Sequence, residues 1–242
     1  MRLLLFIVCA GIIGGGFLVK CGRSIWMPAK LKLMGKRTTE EVVETLRPKM
    51  MQQYPVAELT DGRPLALLAF KEERRLELWK KGVRKWRLIK VYPFTGYSGS
   101  LGPKLVEGDR QIPEGVYDVE YLNPNSSYHL SIKLNYPNAF DRSKAELAGR
   151  NNLGGDIFIH GSHVTIGCIP LGDDAIEEVF FFVAANGTEH CRIIVAPRDF
   201  RKIKSWPDIP SLNWEQELYA KIAEALVPFG QCNDKTPQEK DQ

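Results

Sequence analysis

From residue 64 onward the apolar positions follow a strand period. LALLAF (65–70) is a continuous apolar run, as in a buried strand, whereas LELW (76–79) and WRLIKVY (86–92) alternate, with KKG as the turn between them. These three segments predict an antiparallel meander. Further strands are expected at Gly115–Leu122, Tyr128–Asn135, Asp156–His160 and Cys191–Ala196, separated by turn-forming clusters such as SGSLGP, NPNSS and NYPN. Helical spacing appears in three places. Thr38 or Thr39 with Glu40, Glu41 and Glu44 forms a capped, acidic first turn ahead of Val42, Val43, Leu46 and Met50, in a short helix disturbed by Pro48. Asp173 or Asp174 is expected to cap AIEEVFFFVAAN, with Gly187 closing it, and Ser211 to cap LNWEQELYAKIAEAL. The predicted fold class is mainly β within α+β, a β-sandwich with flanking helices.

The 242 residues are 44% hydrophobic with a net charge of +4, enough for one sizeable core and too weakly basic to require nucleic acid. A local cluster of Lys80, Lys81, Arg84, Lys85, Arg87 and Lys90 reads as the solvated face of a hairpin. After Arg2, an uncharged and mostly apolar run from Leu3 to Val19 ends at Lys20, the pattern of an export signal. Its length leaves cleavage and retention as a membrane anchor both open. Cys21 sits where a lipoprotein cysteine would, but Lys20 stands where a small residue is required. Expected boundaries are a leader over 1–22, a helical segment over 23–62, a catalytic domain over 63–200, a helical extension over 201–230 and a disordered tail over 231–242.

Setting the leader aside leaves Cys168, Cys191 and Cys232, an odd number that points to one free thiol with a function. Whether Cys191 and Cys232 pair stays open. The densest reactive chemistry lies in GGDIFIHGSHVTIGCIPLGDD. There a predicted strand ends in His160, Gly161 allows a turn, and residues 162–167 return the chain to Cys168. A thiol attacks carbonyls as thiolate, so it needs a base within reach, and His160 is the candidate. Gly167, lacking a Cβ, would let the Gly167 and Cys168 N–H groups approach an oxyanion. Two other readings stand beside this one: a zinc site built from Asp156, His160, His163 and Cys168, or a module that binds without catalysing.

The opening strands, the run YPFTGYSGSLGPKLVEGDRQIPEGVYDVEYLNPNSSYHLSIKLNYPNAFD and the HGSHVTIGC motif together resemble the L,D-transpeptidase catalytic domain of the YkuD type, in its YafK-like branch, over about residues 65–197. The resemblance implies a β-sandwich with Cys168 as nucleophile and His160 as base. Thr165, Gly167 and Gly161 match the backbone-supporting positions of its motifs. It departs at Ile166, where most members have His, and at Pro170, where Arg is common. The implied activity is acyl transfer on peptidoglycan tetrapeptide stems through a thioester. The product would be a cross-link, a trimmed stem or a protein attached to or released from the wall, according to whether an amine acceptor, water or a wall-linked protein takes part. No cofactor and no nucleic-acid partner is expected. The implied location is the periplasm, with membrane contact if the leader is retained. Tyr97, Tyr128, His129 and His163 are candidate substrate contacts, and Tyr92, Ser98, Lys104 and Tyr136 lie in the same stretch.

Overall fold

The computed structural model describes residues 35–230. The expected leader, Cys21, Cys232 and the expected tail lie outside that span. Helix α1 (Thr39–Gln53) opens with Thr38 as N-cap. The Thr38 hydroxyl accepts from the Glu41 N–H while the Glu41 carboxylate accepts from the Thr38 N–H. Pro48 does not stop this helix. It deprives only the Glu44 carbonyl of a donor, and both residues are exposed, so water can take that place. The opposite stripe of Val42, Val43, Leu46 and Met50 is buried. A short helix, α2 (Val56–Leu59), follows.

Strands β1 (Leu65–Phe70), β2 (Arg75–Lys81) and β3 (Trp86–Pro93) form the predicted meander. The chain continues through β4 (Gly115–Asn123), β5 (Ser131–Leu134), α3 (Ala139–Leu147), β6 (Phe158–His160), β7 (Ile169–Pro170), α4 (Asp173–Asn186), β8 (Cys191–Ala196) and α5 (Glu215–Leu226). The eight strands hydrogen-bond in the order β3-β2-β1-β8-β4-β5-β6-β7. The sheet is mixed, because β8 runs parallel to β1 and β7 runs parallel to β6. Strand β4 joins its two halves: Gly115–Asp118 pairs with β8, Val119–Asn123 pairs with β5, and the register shifts between Val119 and Tyr121. The architecture is α+β, a mixed sheet with flanking helices.

Both faces of β1 and β8 are covered. Leu65, Leu67, Ala69, Ile193 and Val195 join α4 and the β5–β7 half in one core. Ala66, Leu68, Phe70, Ile194 and Ala196 join Leu218, Tyr219, Ile222 and Leu226 of α5 in a second. A strand buried on both sides has no reason to alternate, which accounts for LALLAF.

Several expected boundaries move. The strand expected over Tyr128–Asn135 is regular only from Ser131, because His129 adopts φ +80°. Helix α3, not among the expected elements, follows the NYPN turn directly and is capped by a reciprocal Asn138–Asp141 pair. Helix α4 has Gly172 at its N-cap with no side-chain cap, and α5 begins after Trp214, not after Ser211. The basic hairpin is not a free cationic face: Lys80 is buried against Asp61 and Asn186, Lys90 pairs with Glu178, and Arg87 pairs with Glu58.

Candidate active site

Strand β6 is held on both sides. Ser131 of β5 is the antiparallel partner of His160, while Ile159 pairs with Ile169 and His160 with Pro170 across the parallel β6–β7 ladder. Extending that register by one residue sets Cys168 beside Phe158. Alternate residues share a sheet face, so Cys168 lies on the same face as His160. Neighbouring strands about 4.8 Å apart with a two-residue offset of ~6.6 Å separate the two Cα atoms by about 8 Å, within reach of a thiol and an imidazole. The sheet thus brings together the two residues singled out in the sequence.

His160 is 2% exposed. Its Nδ1 lies 2.5 Å from the Gly161 carbonyl oxygen. A carbonyl only accepts, so Nδ1 carries the proton and Nε2 the lone pair, the tautomer a proton acceptor needs. The Tyr128 ring covers the imidazole at a centroid distance of 4.7 Å and an interplanar angle of 31°. Burial pushes the His160 pKa below its ordinary value, and the Gly161 carbonyl only partly opposes this. Burial thus favours the neutral form of the imidazole.

Cys168 is half-buried, with Sγ 3.6 Å from the Asp156 carbonyl oxygen. Burial raises its thiol pKa, the Phe158 backbone hydrogen bond opposes that, the Asp156 charge adds to it, and the Lys104 charge opposes it. Burial thus favours the neutral form of both side chains, a thiol and an imidazole.

The turn before Cys168 is built on Gly167, whose φ is +137° and whose added Cβ would lie 3.2 Å from the Gln111 carbonyl oxygen. The Thr165 hydroxyl donates to the Cys168 carbonyl at 2.7 Å and accepts from the Gly167 N–H at 3.2 Å. Thr165 therefore braces the turn that carries Cys168. The Gly167 N–H, expected to face an oxyanion, is already engaged. Gly161 is held just as closely, since a Cβ there would meet the Tyr128 carbonyl oxygen at 2.5 Å and Asp173 Oδ1 at 2.6 Å.

Gln111 belongs to a loop organised by Asp109, whose carboxylate accepts from the Leu105, Val106 and Gln111 N–H groups and pairs with Lys104 at 2.6 Å. The EGD element is thus a brace. Glu114 of the following PEG element pairs with fully buried Lys71 at 2.9 Å, accepts from the Gly102 N–H at 2.7 Å, and accepts from the Tyr219 hydroxyl at 3.0 Å. Sequence reasoning missed Lys71 and Glu114; the available signal was a lysine directly following six buried apolar residues.

The candidate substrate contacts divide. Tyr128 stacks on His160, while the ring of half-buried Tyr97 is covered by the Arg74 guanidinium at 4.9 Å. Tyr97 follows a segment tied to the His160 loop, because the Thr95 N–H donates to the Pro170 carbonyl and its hydroxyl to the Ser162 carbonyl. His163 is exposed on that loop. His129 is already committed, with Nε2 2.8 Å from Glu177 Oε1. Tyr92 and Tyr136 are buried, so neither lines an open groove. The zinc alternative finds no support in the geometry: among the described residues no three His, Cys, Asp or Glu side chains converge to hold a metal. Among the same residues no helix is long and apolar enough to cross a membrane. Cys191 is buried in β8, where burial raises its thiol pKa far above the usual value.

Residues 65–195, from β1 through β8, match the family of the L,D-transpeptidase catalytic domain, YkuD. The chain belongs to this family. The chain is 40% identical over 124 residues to Escherichia coli YafK, whose own L,D-transpeptidase assignment is provisional; the alignment takes in 50% of this chain and 48% of YafK. The chain thus spans about half the length of the curated relatives it matches. Among solved structures it is similar to the helical cell shape determining protein Pgp2 of Campylobacter jejuni, at 20% identity and a TM-score of 0.46 over 67% of this chain and 56% of that one. It is also similar to Bdellovibrio bacteriovorus Bd1075, at 21% identity and a TM-score of 0.42 over 56% and 49% of the two chains. Helices α1 and α5 flank the matched L,D-transpeptidase span.

Proposed function

We propose that this L,D-transpeptidase domain, in an exported protein, carries out cysteine-dependent acyl transfer on peptidoglycan stem peptides. Cys168 Sγ attacks the carbonyl carbon at the L-centre of the diamino acid in a tetrapeptide stem, while His160 Nε2 takes the thiol proton. With the Gly167 N–H held by Thr165, we assign the Cys168 N–H to the tetrahedral oxyanion. Collapse breaks the peptide bond, His160 returns the proton to the departing D-alanine amine, and a thioester remains on Cys168. An amine acceptor then gives a cross-link, and water gives a trimmed stem.

The observation carrying this reading is the β6–β7 register, which sets Cys168 and His160 on one face, together with the Nδ1 contact to Gly161 that leaves Nε2 available. Family membership supplies the substrate class.

The test is incubation of the purified protein with a muropeptide tetrapeptide, followed by intact mass spectrometry. A covalent acyl adduct is expected on the wild type, absent from Cys168→Ala and strongly reduced in His160→Ala. An adduct that survives Cys168→Ala would sink the proposal. If His163→Ala suppresses the adduct and His160→Ala does not, the base has been wrongly assigned. Product analysis with and without an amine acceptor then separates transfer from hydrolysis.

A further inference from the structure

We propose that Asp173 and Glu177, one turn apart on α4, act as a two-carboxylate clamp that fixes the His160 imidazole, with His129 as the gripped side chain. This rests on the reading of His160 as the base. Residues four apart lie on the same face of a helix, and these two carboxylates hold the two segments flanking the imidazole. Asp173 Oδ1 accepts from the Ser162 N–H at 3.0 Å, just beyond His160 and Gly161. Glu177 Oε1 lies 2.8 Å from His129 Nε2, and because a carboxylate accepts, Nε2 is the donor.

The two grips converge on the base. His129 has φ +80°, a conformation side-chain-bearing residues rarely adopt and keep only when their surroundings impose it. The preceding residue, Tyr128, stacks on the His160 ring. Between the grips sits Gly161, whose added Cβ would meet the Tyr128 carbonyl oxygen at 2.5 Å, Asp173 Oδ1 at 2.6 Å and the His129 Cβ at 3.1 Å. The Gly161 carbonyl in turn fixes His160 Nδ1. Freeing His129 would therefore loosen the ring covering the imidazole and the packing around the peptide that orients it.

Helix α1, outside the matched family span, reaches the same clamp. Lys49 Nζ bonds Glu177 Oε2 at 2.6 Å and Asp174 Oδ1 at 3.0 Å. The His129 hydrogen bond is the main cause holding the Glu177 pKa below its ordinary value; burial opposes it and Lys49 adds to it. These are positioning residues: they act on the base through Tyr128, Gly161 and Ser162.

The test uses His129→Asn, which tolerates the positive φ but is too short to reach Glu177, together with Glu177→Ala and Glu177→Gln. Two quantities are measured in the full chain: the titration midpoint of His160 by NMR, and kcat and KM for thioester formation. In His129→Asn and Glu177→Ala, water gains access to the imidazole, so the His160 midpoint should rise toward the ordinary histidine value. In the same variants kcat should fall about tenfold with KM unchanged. Glu177→Gln keeps an acceptor for His129 and should lie between them and the wild type. A loss of fold stability alone would lower the melting temperature without moving the His160 midpoint. An unchanged midpoint in both His129→Asn and Glu177→Ala would overturn the clamp. If the wild type forms no thioester, the functional reading fails, while the midpoint, which needs no substrate, still decides the clamp.

Discussion

Gly167 sets where Cys168 sits. Its φ of +137° lies where L side chains are strained, and the Gln111 carbonyl oxygen leaves 3.2 Å for a Cβ. Replacement by Ala must move either the turn braced by Thr165 or the loop braced by Asp109, and both carry Cys168's surroundings. Gly167→Ala is therefore expected to cost ~1–3 kcal/mol of stability in urea titration. Thioester formation should fall by about tenfold or more by mass spectrometry. Near-normal stability and rate would mean that the turn relaxes freely. The same scale holds the clearest reassignment. Asp173, read as a helix cap, turns its carboxylate to the Ser162 N–H, and so spends on the loop after His160 a group the sequence offered to α4.

At the scale of elements, helix starts show how local chemistry and burial combine. Both α1 and α3 begin with a reciprocal capping box, Thr38 with Glu41 and Asn138 with Asp141. In α3 the capping carboxylate is also half-buried, and desolvation pushes Asp141 up to about 6 from an ordinary value of 3.8, against hydrogen bonds from the Asn138 N–H and the Tyr117 hydroxyl. The folded chain therefore holds this proton between about pH 4 and 6 while the unfolded chain has released it. The protonated carboxyl contributes stability that is fully present below pH 4 and is lost as pH rises through 6. The loss amounts to at most about 3 kcal/mol. Asp141→Asn, which keeps a capping oxygen without the titration, should flatten that part of the curve of unfolding free energy against pH. An unchanged slope would show that Asp141 ionises normally.

Across the whole molecule, α5 is a layer of the fold. Leu218, Tyr219, Ile222 and Leu226 with Phe229 cover the face of Ala66, Leu68, Phe70, Ile194 and Ala196. Tyr219 also donates to Glu114 within the buried ion pair with Lys71 that fixes the loop at Gly102. At ~1.5–3 kcal/mol for each large apolar side chain, the lost burial is on the order of 10 kcal/mol, as large as the stability of a typical domain. Truncation before residue 201 is expected to yield insoluble or unfolded protein, read by circular dichroism and gel filtration. A soluble, cooperatively unfolding product would show that the 201–230 segment is an independent appendage.

What the sequence alone determined was whatever depends on near neighbours. The period of two in β2 and β3, the apolar run of β1 and the Thr38 cap are local patterns. So is the nearness of Cys168 to His160, because one short loop joins them. Local signals also fell short: NYPN is a turn, but the Asn138–Asp141 capping box that starts α3 right after it went unread. Asp173 and Ser211 looked like caps because cap chemistry does not specify which N–H it will meet. Only the tertiary structure decided that β8 inserts parallel to β1, that Lys71 meets Glu114, and that His129 is held by Glu177. Those partners are 43, 48 and more residues apart along the chain. Contacts across such separations are selected by the burial and charge pairing of the whole core, a constraint that no window of sequence contains.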